Sequence, residues 1–103
     1  MSQTLGFLVT LHAKPGREDE VVAFLETAER LVHAEPGTKQ WFGFRIDETT
    51  FGIFDTFDTF DTETDRDIHL HGEVRKALEA HPELFDRPPV IAPVDVVGVK
   101  VGS

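Results

Sequence analysis

An α+β fold, one antiparallel sheet with two helices on one of its faces, is what this sequence predicts, and three observations carry the prediction. Short apolar runs of alternating character stand at both ends and in the middle of the chain. Two longer segments repeat their apolar residues at helical spacing. Pro and Gly punctuate the boundaries between them, so the order reads β-α-β-β-α-β. That order is the ferredoxin-like split βαβ arrangement. A chain of 103 residues has room for one domain, taken as 1–103.

Residues 6–14 (GFLVTLHAK) form the first strand, with Phe7, Val9 and Leu11 facing one way and Leu8, Thr10 and His12 the other. Pro15-Gly16 breaks it. Residues 17–34 read as a helix: Val21, Leu25, Ala28 and Val32 make an apolar stripe, and Glu18, Asp19 and Glu20 suit the positive end of its dipole. Pro36-Gly37 ends it. Residues 40–46 and the run from Phe51 onward are two strands of a hairpin around Asp47-Glu48-Thr49-Thr50. The second helix spans about 64–81, capped by Thr62 or Thr64, with Leu70, Val74, Ala77, Leu78 and His81 on its buried stripe. Pro82 starts a new turn that Leu84-Phe85 continues as helix, Arg87-Pro88-Pro89 is a loop, and residues 94–101 (VDVVGVKV) are the last strand.

The helices cover one face of this sheet, yet the strands are apolar on both. Phe42 and Phe44 alternate with Trp41, and Phe51 and Ile53 with Phe54. An apolar face left in water invites aggregation, so the pattern predicts a homodimer whose sheets pack face to face.

Net charge is −9, with 19 acids against 10 bases. That excludes nucleic acid and anionic membrane as expected partners, since both call for basic surface. There is no cysteine, hence no disulfide or thiolate chemistry. Residues 1–11 lack the pattern of a signal peptide, and no stretch approaches the ~20 apolar residues of a membrane span. The expectation is a cytoplasmic protein.

The opening strand followed by KPGRED, the AEPGT after the first helix, the long aromatic third strand and a helical His followed by Leu occur here in order within about a hundred residues. In these features the chain resembles the antibiotic biosynthesis monooxygenase (ABM) domain family. This is the dimeric α+β barrel group that includes small quinol monooxygenases, and the resemblance covers nearly the whole chain. It implies a dimeric barrel, a small aromatic or hydrophobic ligand and no cofactor. Enzymes of the family use molecular oxygen on electron-rich phenolic or quinol substrates, which supply the electrons themselves. The protein then has to provide an apolar pocket, a partner for a phenolic proton and exclusion of water.

The resemblance also frames the repeat FDTFDTFDT at 54–62, whose period of three fits neither a strand nor a helix. The family's third strand commonly ends in an acid, any residue, then Trp, nine residues before the helical His. Phe60 stands nine before His69, with Asp58 at the acid's place; Phe57 would need a longer gap. Strict alternation puts Asp55 on the side of Ile53, a conflict that a bulge near residues 55–58 would resolve. The repeat therefore reads as an extension of the strand rather than a separate site.

By resemblance, His69 is the proton-handling residue, whereas the helical wheel sets it off the buried stripe; both readings stand. Trp41, the only Trp, suits either an aromatic pocket wall or sheet packing. Phe54 and Phe60 join it as candidate walls, with His71 and His12 as further candidates. His33 suits the negative end of the first helix. No metal is expected: the five histidines show neither H-x-x-x-H nor H-E-x-x-H, and residues 61–72 fail the calcium-loop pattern at its sixth and twelfth positions. Gly72 inside a helix implies close approach of another backbone or a ligand. Haem-degrading members of the family use an Asn and a Trp with the His; this chain has no Asn and carries Phe60 at the Trp place, which argues against haem degradation. The functional expectation is a cofactor-independent monooxygenase acting on a small phenolic or quinol-type compound. The alternative is a non-catalytic dimer that binds a small hydrophobic ligand or serves in stress.

Overall fold

The computed structural model describes residues 4–34, 38–57 and 73–100. Its elements are β1 (Thr4–His12), α1 (Glu18–Val32), β2 (Thr38–Arg45), β3 (Thr50–Phe57), α2 (Glu73–Ala80), a 3₁₀ turn (Pro82–Leu84) and β4 (Val90–Val96). The strands form one antiparallel sheet in the order β2-β3-β1-β4. This is the expected α+β, ferredoxin-like arrangement.

Alternation along the strands sorts the side chains by face. Phe7, Val9 and Leu11 of β1 and Phe51 and Ile53 of β3 are buried on the side of the helices. Val9, Leu11, Phe51 and Ile53 pack with Val21, Phe24 and Leu25 of α1, Leu78 of α2, and Leu84 and Phe85 after it. The loop into α1 turns at Gly16, whose φ of 87° is a left-handed conformation that glycine adopts without steric cost. Arg17 then pairs with Glu20 at 2.9 Å across the first turn.

Four expectations need correction. The last strand begins at Val90 and ends at Val96, not at 94–101. Pro93 lies within it, because β4 is an edge strand, where a residue without an N–H is tolerated. The 3₁₀ turn stops at Leu84, and Phe85 is extended and bridges Ala13. His81 is exposed rather than on a buried stripe: it has left the helix, its Nδ1 lies 3.2 Å from Glu83 Oε1, and its ring meets the edge of Phe24. Finally, alternation runs through Asp55 without interruption, and the irregularity lies on the facing strand, where β2 advances from Thr38 to Gln40 while β3 advances one residue. The expected caps at Thr62 and Thr64, the acids of 61–67, Gly72 and the Pro36-Gly37 stop lie outside the described residues.

Candidate functional site

A cavity of about 730 Å³ lies between α1 and β2. Val22, Leu25 and Val32 wall it from the helix, Trp41 and Phe51 from the sheet. Its shape depends on a glycine. The Trp41 indole lies along its own strand over Gly43, with Cη2 3.0 Å from where a Cβ would stand. Leu25 of α1 approaches the same spot at 3.7 Å. A Cβ at Gly43 would make the indole give way by a few tenths of an ångström.

Trp41 is half-buried, and its Nε1 is fully buried with no hydrogen-bond acceptor among the described residues. An indole N–H so placed costs free energy that its packing has to offset. Directly across the β2–β3 pair stands Asp55, on the same side of the sheet and only 5 % exposed. Its Oδ1 accepts the backbone N–H of Phe7 at 3.3 Å. A carboxylate buried on the helix side is the feature that sequence reasoning missed: alternation already put Asp55 beside Ile53, but its charge argued for moving it out.

Arg45 closes the hairpin end of the cavity. Its Nε donates to the Asp47 carbonyl at 3.1 Å and its Nη2 to the Glu48 carbonyl at 2.8 Å. The guanidinium also lies over the Phe51 ring, 5.0 Å from its centre. The turn beneath it is held by Asp47 Oδ1, which accepts the N–H of Thr49 at 3.0 Å and of Thr50 at 2.8 Å. These bonds, that from the Thr49 backbone foremost, keep the Asp47 carboxyl below its ordinary 3.8. At the other end the rim is acidic. Glu26 and Glu29 of α1 line the mouth, with His33 Nε2 3.8 Å from Glu29 Oε2.

Of the residues singled out in sequence, Trp41 lines this cavity. Phe54 and His12 do not: Phe54 pairs with Phe42 and Leu8, and His12 alternates with Leu11, so both lie on the opposite face of the sheet. His69, His71 and Phe60 lie outside the described residues. A second cavity of about 440 Å³, between α2 and β4, is lined by Leu78, Pro82, Phe85, Pro89 and Ile91, with Arg75 and Arg87 at its edge. Among the described residues no three His, Asp or Glu side chains gather as a metal site, and no helix is long and apolar enough to cross a membrane.

A protein of unknown function from Nitrosomonas europaea is 37 % identical to this chain, with 99 % of this chain and 97 % of that one covered and a TM-score of 0.86. A solved structure named antibiotic biosynthesis monooxygenase superposes with a TM-score of 0.73 at 16 % identity, covering 91 % of this chain and 99 % of its own. The chain shares its fold with structures named antibiotic biosynthesis monooxygenase. No protein-family model and no curated protein sequence matches it. A Caulobacter crescentus protein assigned to the ABM monooxygenases by name superposes at 0.69, with 24 % identity over 94 % of this chain and 92 % of its own. These distant likenesses are likenesses of fold, and the chemistry rests on the cavity of this chain.

Proposed function

We propose that the protein is a cofactor-independent monooxygenase that oxidises a small phenolic or quinol-type compound with molecular oxygen in the cavity under α1. The observation that carries this reading is a cavity of about 730 Å³ with apolar walls and an aromatic face, Trp41, within an ABM-like fold. That volume lies in the range of small-molecule sites, which are mostly apolar with few polar groups. Oxidation of an anthrone states the balance: one oxygen atom becomes the new carbonyl, the other leaves as water with both methylene hydrogens, and the substrate supplies all four electrons. Loss of a proton gives the electron-rich anion that reacts with oxygen, so one group has to accept that proton. The family resemblance assigns this role to His69.

The same reading makes the protein a homodimer. Leu8, Phe42 and Val90 stand on the face away from the helices and are 39 %, 54 % and 56 % exposed, which favours a second sheet as their cover. Phe54 and His12 would then belong to the seam.

Oxygen uptake by the purified protein against hydroquinones and anthrones tests the activity. Saturable uptake above the autoxidation blank is expected, with His69→Ala lowering turnover by roughly 10²-fold or more. Binding without turnover across the panel would favour the non-catalytic ligand-binding dimer instead.

A further inference from the structure

Resting on that ligand-binding reading, we infer that the cavity selects aromatic molecules that are uncharged or carry a cationic amino group, and discriminates against carboxylates, with Glu26 setting the preference. The walls decide only that the ligand is apolar; the sign of charge tolerated is decided at the rim. Glu26 and Glu29 both stand there, exposed, one turn apart on α1. Glu26 has no ion-pair or hydrogen-bond partner among the described residues, so its charge is available to a ligand.

Among the described residues, the bases that line the rim are already occupied. His33 faces Glu29, and the Arg45 guanidinium is committed to two turn carbonyls and the Phe51 ring at the hairpin end. The end of α1 adds to the bias. Val32 and His33, its last residue and its C-cap, line the cavity, so the negative end of the helix dipole lies at the Trp41 and Thr38 side. The overall charge of −9 acts in the same direction at long range.

The chain reports on this cavity by itself, because Trp41 is its only Trp and it has no Tyr. Its emission, excited where phenols do not absorb, is followed during titration with three probes of one shape: 4-ethylphenol, tyramine and 4-hydroxyphenylacetate. Exchanging an exposed attraction for an exposed repulsion of similar size predicts that tyramine binds about tenfold tighter than 4-hydroxyphenylacetate at low salt. The neutral phenol lies between them, and added salt narrows the ratio. Glu26→Gln should reduce the ratio to about threefold. Equal or tighter binding of the carboxylate overturns the inference, and so does a ratio unmoved by Glu26→Gln. If 4-ethylphenol binds in either case, the ligand-binding reading survives. If none of the probes perturbs Trp41, both fall together.

Discussion

The two faces of this sheet are built from alternate residues of the same strands, yet their burial differs sharply. On the helix side Leu11, Phe51 and Ile53 are at most 1 % exposed; on the other side Leu8 is 39 % and Phe42 54 % exposed. Each face also lays an aromatic ring over a glycine. Trp41 covers Gly43 on the helix side, and Phe44 covers Gly52 on the other, its Cζ over the place where a Cβ would stand. The rings protect the backbone in the same way but have different surroundings. Beside Trp41 there is a cavity; Phe44 belongs to an apolar surface that continues across Leu8 and Phe54. The comparison teaches that period-two patterning can supply two apolar faces in different surroundings, one buried beside a cavity and one left exposed; under the proposed function the first takes a ligand and the second a partner sheet.

The largest effect that can break this comparison is a pair of truncations. Phe51→Ala should cost about 3–5 kcal/mol in urea denaturation, as for a fully buried aromatic. Phe42→Ala should cost clearly less in dilute solution, with a penalty that grows with protein concentration as the faces pair. Equal costs independent of concentration would erase the difference between the faces.

A smaller effect sharpens it. Gly43→Ala and Gly52→Ala each make a ring give way and should each cost about 1–3 kcal/mol. Only Gly43→Ala should change the emission of Trp41, because only that ring is the indole. A spectral change in Gly52→Ala instead would mean that the two faces are coupled.

The smallest effect concerns the hairpin that joins β2 to β3. The Asp47 carboxyl is held below its ordinary 3.8 by hydrogen bonds made in the folded turn, from Thr49 foremost. A depressed folded value stabilises the fold at pH above 3.8 and loses that contribution as pH falls through the folded value. The stability difference between the native protein and Asp47→Ala should therefore be constant near neutrality and vanish in acid. A difference that persists in acid would show that the turn is held by other contacts.

Much of the fold was legible because its signals are local. The helical stripe of α1, the acids of its first turn and the hairpin around Asp47 were all readable by period and turn chemistry, and each is present. The start of β4 was not, because whether Pro93 breaks a strand depends on that strand's place in the sheet. Asp55 was misjudged for a related reason: a carboxylate on the buried side looks like an error until the Phe7 amide that it accepts is in view. Of the candidate site, Trp41 was legible as an aromatic wall. Its separation from Phe54 and His12 follows from alternation, but which face holds a cavity depends on how closely α1 approaches Gly43. No spacing in the sequence encodes that distance.

The division of labour between the faces is tested most directly by sedimentation of the native protein and of Leu8→Glu, a charge placed at the centre of the open face and away from the cavity. The native protein should sediment at about twice 11.5 kDa at micromolar concentration, and Leu8→Glu at the mass of one chain. A native protein that stays monomeric, or a Leu8→Glu variant that remains a full dimer, would contradict the assignment of that face to a second copy of the chain.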